Sequence, residues 1–158
     1  MFNKIKLILI LLLSINLLNG CGYKVINNSN GSYNIIDIND SGETRINYKI
    51  KNQILFNSSK QSSNIFKLDI KTNKQKQIRD KNIKNEITSY TLTISTQVSY
   101  SLIGKTTKGE FIINQSGNYE VSSQRINTLN NEKSLTETLT NNIIEKIKSE
   151  LNNIVYDN

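Results

Sequence analysis

A long alternation between Tyr90 and Leu102 constrains this chain more than anything else in it. Tyr90, Leu92, Ile94, Val98, Tyr100 and Leu102 share one parity, and Thr91, Thr93, Ser95, Gln97, Ser99 and Ser101 hold the other. Successive side chains of a strand point to opposite faces, so the run predicts a strand with one packed and one polar face. A sheet with an open polar face favours antiparallel pairing, because parallel sheets are normally covered on both sides. Gly104-Lys105-Thr106-Thr107-Lys108-Gly109 reads as a hairpin loop, and the return strand keeps the pattern with Phe111, Ile113, Tyr119 and Val121. Gln115 and Gly117 interrupt that return, which predicts a bulge near Gly117.

Other periodicities fill in the order of elements. Tyr33 to Ile38 is a β-branched run that predicts a strand, and Asn39-Asp40-Ser41-Gly42 a turn, with Asp40 or Ser41 capping the helix that follows. Ile46, Ile50 and Ile54 recur every four residues and mark an amphipathic helix from Glu43 to Phe56. A second strand runs from Asn64 to Thr72, with Phe66, Leu68 and Ile70 on one face. Near the C-terminus, Ser134-Leu135-Thr136-Glu137 has the form of a capping box. Leu135, Leu139, Ile143, Ile147, Leu151 and Ile154 then make an apolar stripe, expected to pack against the Tyr90/Leu92/Ile94/Val98 face. The order is β-α-β-β-β-α. Single-striped helices and a one-faced sheet imply an α+β two-layer sandwich, a four-stranded mostly antiparallel sheet with two helices on one face.

The N-terminus gives an address. Lys4 and Lys6 precede an apolar stretch from Leu7 to Leu18, followed by Asn19-Gly20-Cys21. That stretch is too short for a spanning helix, which needs roughly 20 apolar residues, and fits the h-region of a secretory leader. The arrangement resembles a bacterial lipoprotein signal, in which the cysteine is lipid-modified and becomes the first mature residue; the alternative is an ordinary leader with an incidental cysteine. The chain therefore divides into a signal peptide over 1–20, a lipidated start and Asn/Ser/Gly-rich tether over 21–32, and one domain over 33–158.

Composition narrows the chemistry. The 158 residues hold 20 basic and 13 acidic side chains, a net charge of +7, and the mature part keeps +5 once Lys4 and Lys6 are gone. A basic exported domain suits an anionic membrane surface, an anionic glycolipid or another acidic partner, and not nucleic acid. Cys21 is the only cysteine and there is no histidine. General acid–base and nucleophilic catalysis usually draw on those residues or on close carboxylate pairs, so neither catalysis nor a metal site is expected. The basic residues concentrate between Lys67 and Lys84, where seven Lys and Arg stand against Asp69 and Asp80.

In this succession, Cys21-Gly22-Tyr23 resembles the Cys-Gly-aromatic mature start of the LPS-assembly lipoprotein LptE family. Glu86-Ile87-Thr88-Ser89-Tyr90-Thr91-Leu92-Thr93-Ile94 looks like that family's central strand, and the return to Tyr119 and Arg125 and the helix Leu135–Leu151 follow in its order. The resemblance implies an outer-membrane lipoprotein that complexes with and plugs the LptD β-barrel, assists its assembly, and helps lipopolysaccharide reach the outer leaflet. It implies no enzymatic activity and no cofactor beyond N-acyl and S-diacylglycerol lipid (palmitate-type chains) on Cys21. Gly22 lacks the aspartate that commonly retains lipoproteins in the inner membrane.

By the same resemblance, Arg79, placed in the loop before the central strand, and Lys133, placed just before the last helix, are lipopolysaccharide-binding candidates, together with Lys81 of the basic segment. Arginine suits phosphate because its planar fork donates two hydrogen bonds at once. The competing reading of all three is a solvated surface cation. The polar face Thr91, Thr93, Ser95, Gln97 and Ser99 could press on the polar lumen of a barrel or simply face water. A stand-alone anionic-lipid-binding lipoprotein and an auxiliary lipoprotein of a periplasmic transporter are the alternative functions.

Overall fold

A computed structural model describes residues 32–157; Cys21, the leader and nearly all of the tether lie outside the described residues. The elements are β1 (Asn34–Gly42), α1 (Thr44–Phe56), β2 (Ile65–Lys81), β3 (Ile87–Leu102), β4 (Lys108–Glu120) and α2 (Arg125–Tyr156). The order is β-α-β-β-β-α, as the periodicities require. The strands lie side by side as β1-β2-β3-β4, with β1 parallel to β2 and the other pairs antiparallel.

One apolar cluster unites the layers. Phe66, Leu68 and Ile70 of β2, Leu92, Ile94 and Val98 of β3, and Ile113 and Tyr119 of β4 are buried against Ile46, Ile50 and Ile54 of α1 and Leu139, Ile143, Ile147 and Leu151 of α2. Both helices thus cover the same face, and the two stripes read from the sequence are the ones that are buried. Thr96 breaks the apolar parity of β3, yet it is buried because its hydroxyl pairs with that of Thr72 on β2 at 3.1 Å. An aromatic row crosses one end of the sheet. Tyr33 meets Phe66 edge-on at 6.1 Å, Phe66 meets Tyr100 at 6.1 Å, and Tyr100 meets Phe111 at 6.2 Å.

Several local expectations are corrected. β1 does not turn at Asn39 but runs to Gly42, and the helix cap is Glu43, which makes no side-chain cap bond. Gly42 explains this. It has φ +91°, and a Cβ there would stand 2.0 Å from the carbonyl oxygen of its partner Thr72, so the strand stays paired until the chain swings into α1. The Asn47 side chain then reaches back to donate to the Ser41 carbonyl at 2.8 Å.

β2 continues nine residues past Thr72, to Lys81. Its second half lacks apolar alternation, but every residue from Asn73 to Ile78 is in register with β3, and the ladder carries it. The expected bulge near Gly117 is absent, because β4 pairs with β3 without a register shift. Gly117 serves packing instead: a Cβ there would lie 2.7 Å from the Leu135 side chain of α2. The irregularities fall on the other side of β3 at the same end, where β2 slips register between Ile78 and Asp80 and again between Asp80 and Lys81.

The last helix starts at Arg125, so Ser134 is an interior residue whose carbonyl accepts from Thr138 Oγ1. No Gly or Pro separates Arg125 from Ser134, so nothing breaks the helix there. Its true entry is stitched by Ser122 N–H to Thr128 Oγ1 at 2.9 Å. Among the described residues no helix is long and apolar enough to cross a membrane.

Candidate functional site

The far end of the β2–β3 pair and the start of α2 form the most polar part of the helix-side layer. Lys74 and Lys76 continue the inward parity of Phe66, Leu68 and Ile70, so two ammonium groups point to the side where the helices lie. They converge on Glu132 of α2, with Lys74 Nζ 3.0 Å from Oε1 and Lys76 Nζ 2.8 Å from Oε2. The Tyr119 hydroxyl donates to Glu132 Oε2 at 2.8 Å. Lys76 also sits 4.2 Å from the ring centre of Tyr90, which stacks on Tyr119 at 5.6 Å.

The charges hold one another. The hydrogen bond from Lys76 outweighs partial burial and, with those from Lys74 and Tyr119, takes the Glu132 carboxyl down to about 2. Burial alone would lower Lys76, but its hydrogen bonds to Glu132 and Tyr119 and the attraction of the carboxylate raise it. Burial raises the Tyr119 phenol, with Lys76 opposing and Glu132 adding to the rise.

Beside this cluster a groove of about 600 Å³ runs between α1 and the first half of α2. Ile46, Tyr48 and Leu129 give it apolar wall, and Arg45, Lys49 and Lys133 give it cations. Among the described residues these three cations have no ion pair, whereas Lys74, which also lines the groove, is committed to Glu132. Glu43 and Glu137 line it too, so the groove is amphipathic and mixed in charge, with a basic excess. A volume of this size suits part of a lipid-sized molecule, and apolar walls with unpaired cations suit an anionic head beside an acyl chain.

Arg79 and Lys81 stand elsewhere, and neither is in a loop as the sequence suggested for Arg79. Arg79 is the extra residue of the β2 bulge, between Ile78 opposite Tyr90 and Asp80 opposite Ser89. A bulge re-aims the side chain it carries. Its Nε lies 3.3 Å from Asp80 Oδ2, a solvent-exposed pair. Lys81 ends the strand and donates to Asn85 Oδ1 at 3.0 Å across the tip. Asn82 ties that tip together by accepting the N–H groups of Lys84 and Glu86 on its side-chain oxygen, while Asn85 takes φ 62°. Lys133 is not ahead of the last helix but inside it. The structure thus brings Arg79 and Lys81 to one hairpin tip and sets Lys133 in the groove with Arg45 and Lys49.

Sequence reasoning placed Lys74 and Lys76 in the basic segment but missed Glu132 as their partner. The signal was present: two lysines on the inward parity of a strand require an acid from the covering layer. It was hidden because the strand was expected to end at Thr72.

The opposite face of the sheet is uncovered among the described residues and laced by cross-strand bonds. Thr91 Oγ1 donates to Asn118 Oδ1 at 2.8 Å, Thr93 and Ser116 hydroxyls meet at 3.1 Å, and Gln97 Nε2 donates to Glu110 Oε2 at 2.9 Å. The described residues contain no group of three or more His, Cys, Asp or Glu able to hold a metal.

No protein-family model and no curated protein sequence matches the chain. Solved structures do. Rare lipoprotein B from Shewanella oneidensis superposes with a TM-score of 0.63 at 12% identity, covering 78% of this chain and 98% of that one. A candidate lipoprotein from Caulobacter crescentus CB15 matches at 0.57 and 16% identity over 83% of this chain and 95% of its own. Uncharacterized lipoprotein B from Nitrosomonas europaea matches at 0.57 and 11% identity over 86% and 94%. At such identities the shared property is the fold, and it spans nearly the whole length of each neighbour.

Proposed function

We propose that this chain is a lipid-anchored outer-membrane component of lipopolysaccharide export, of the LptE type. The observation that carries the reading is the fold itself. The α+β layer order is that of rare lipoprotein B, the LptE family's other name, over 98% of that neighbour, and here it stands behind a lipoprotein-like cysteine. Cys21, carrying N-acyl and S-diacylglycerol lipid, holds the chain to the membrane. The domain faces the periplasm and seats in the lumen of an LptD-type β-barrel, assisting its assembly. The open Thr/Ser/Gln face of β3 and β4 offers hydrogen-bonding groups of the kind a polar barrel lumen accepts. The role is binding and scaffolding, with no reaction catalysed.

Lipopolysaccharide is the second partner. Its phosphates suit Lys133 with Arg45 and Lys49 in the groove, or Arg79 and Lys81 at the hairpin tip, and its acyl chains suit the groove's apolar wall. Purification of the tagged full-length chain from envelopes in mild detergent tests the reading. An outer-membrane barrel should co-purify, and recovery of the chain alone, or with a periplasmic transporter, overturns it. Reversing Arg79, Lys81 and Lys84 to Glu separates the other alternative. A stand-alone anionic-lipid binder loses lipid binding while barrel assembly continues, whereas failure of barrel assembly on the same reversal favours the LptE-type factor.

A further inference from the structure

We propose that the outer edge of β4, unpaired among the described residues, is a self-pairing surface, and that two copies of this chain join β4 to β4, antiparallel, about a twofold axis at Asn114. The result is one continuous sheet across both copies. β4 is the last strand of the sheet, 13 residues long and paired to β3 without a bulge. Leu102 N–H donates to the Thr107 carbonyl and Val121 N–H to the Thr88 carbonyl, so the odd-numbered residues of β4 turn their peptide groups to β3. The even-numbered ones, Lys108 to Glu120, turn theirs outward. Two of those outward carbonyls are met only by side chains, Asn114 by Gln115 Nε2 at 2.8 Å and Glu120 by Asn131 Nδ2 at 3.1 Å. A straight edge of this length is the kind that recruits another strand.

The occupant is named by the strand's own complementarity. About Asn114, Lys108 falls opposite Glu120 of the second copy at both ends, Glu110 opposite Asn118, and the exposed Ile112 opposite Ser116. On the helix side Gly109 falls opposite Tyr119 and Phe111 opposite Gly117, so each glycine gap receives an aromatic ring. Neighbouring registers are worse. Moving the axis to residue 115 sets Glu110 against Glu120, and moving it to 113 leaves Lys108 and Glu120 without each other. All pairs in the Asn114 register match outward residues with outward residues, as an antiparallel ladder requires.

The opposite edge differs in each respect. β1 is shorter, slips register between Ile35 and Asp37, and carries Asp37 and Asp40, features that discourage edge pairing. Self-pairing through β4 does not depend on a barrel partner, and a sheet shared by two copies is a state of the chain outside the barrel lumen, separate from the one in which a single copy is seated there.

Disulfide capture in the full-length chain, expressed with its anchor in its own envelope, tests the register. Directly opposed residues have Cα atoms about 5.5 Å apart, within disulfide reach. Asn114→Cys should trap a dimer well above the background of the parent chain, whose one cysteine is Cys21. Ile112→Cys and Ser116→Cys should each stay at background alone and trap a dimer when co-expressed. Adding Lys108→Glu to Asn114→Cys should lower the yield roughly tenfold, and adding Glu120→Lys as well should restore it. A background yield at Asn114→Cys, equal yields from all three single cysteines, or failure of the charge swap to restore pairing overturns the proposal.

Discussion

The two ends of the β2–β3 pair use the same strands and the same parity to opposite effect. At one end Phe66 faces Leu102, with Tyr33, Tyr100 and Phe111 beside it, and aromatic rings make the contacts. Burial there pushes the Tyr33 phenol up to about 12, helped by the charge of Glu145. At the other end the inward positions are Lys74 and Lys76, and Glu132 of α2 answers them. Apolar burial fixes the first end alike at acid and neutral pH, and only ionisation of Tyr33 in alkali, above its ordinary value of 10.0, weakens it. The second end is held by charge-assisted hydrogen bonds, and its strength follows solution conditions.

The comparison breaks most visibly at Phe66. Phe66→Ala empties a fully buried site and should cost about 3–5 kcal/mol in denaturant unfolding, equally at low and neutral pH. A cost under about 1 kcal/mol would mean the dry end is not the anchor it is taken to be.

Glu132→Gln comes next, at about 1–2 kcal/mol, discounted because Lys76 is 39% exposed. Its signature is in the pH dependence. The Glu132 carboxyl lies at about 2 in the folded protein against 4.5 for the free group. Its stabilisation is therefore complete above the unfolded value and fades as pH falls from about 4.5 through about 2. Acid titration of the parent should show that loss, and the Gln variant should lack its share of it.

Tyr119→Phe removes one hydrogen bond to the carboxylate but leaves the ring stack, so about 0.5–1.5 kcal/mol is expected by the same measurement. Smallest of all is Arg79→Ala. Its pair with Asp80 is exposed, and unfolding should change by less than about 0.5 kcal/mol, while vesicle co-sedimentation reports any lost affinity for lipopolysaccharide. Lys133→Glu belongs beside it, a groove charge whose reversal should lower lipopolysaccharide binding with little change in melting.

The dry end was legible in the sequence for the reason that it is dry. Phe66, Leu68, Ile70, Leu92, Ile94 and Val98 alternate cleanly, and the α2 stripe matches them, so order, layers and core followed from period alone. The charged end was not. Residues Asn73 to Lys81 are polar on both faces apart from Ile78, and their strand is specified by the partner ladder rather than by their own pattern. The same applies to the first turns of α2, where Ile126 and Leu129 remain exposed and leave no stripe to read. Both errors displaced candidate residues: Arg79 from a loop to a bulge, Lys133 from a loop to a helix.

The parallel pairing of β1 with β2 also sets an order in time. β2, β3 and β4 are joined by short turns and can zip up from neighbouring sequence. β1 has to wait until β2 exists to receive it and α1 has folded back across the sheet, a slower closure than either hairpin. In a chain delivered N-terminus first, Tyr33, Ile35 and Ile38 are then the earliest core residues to emerge and the last to be covered.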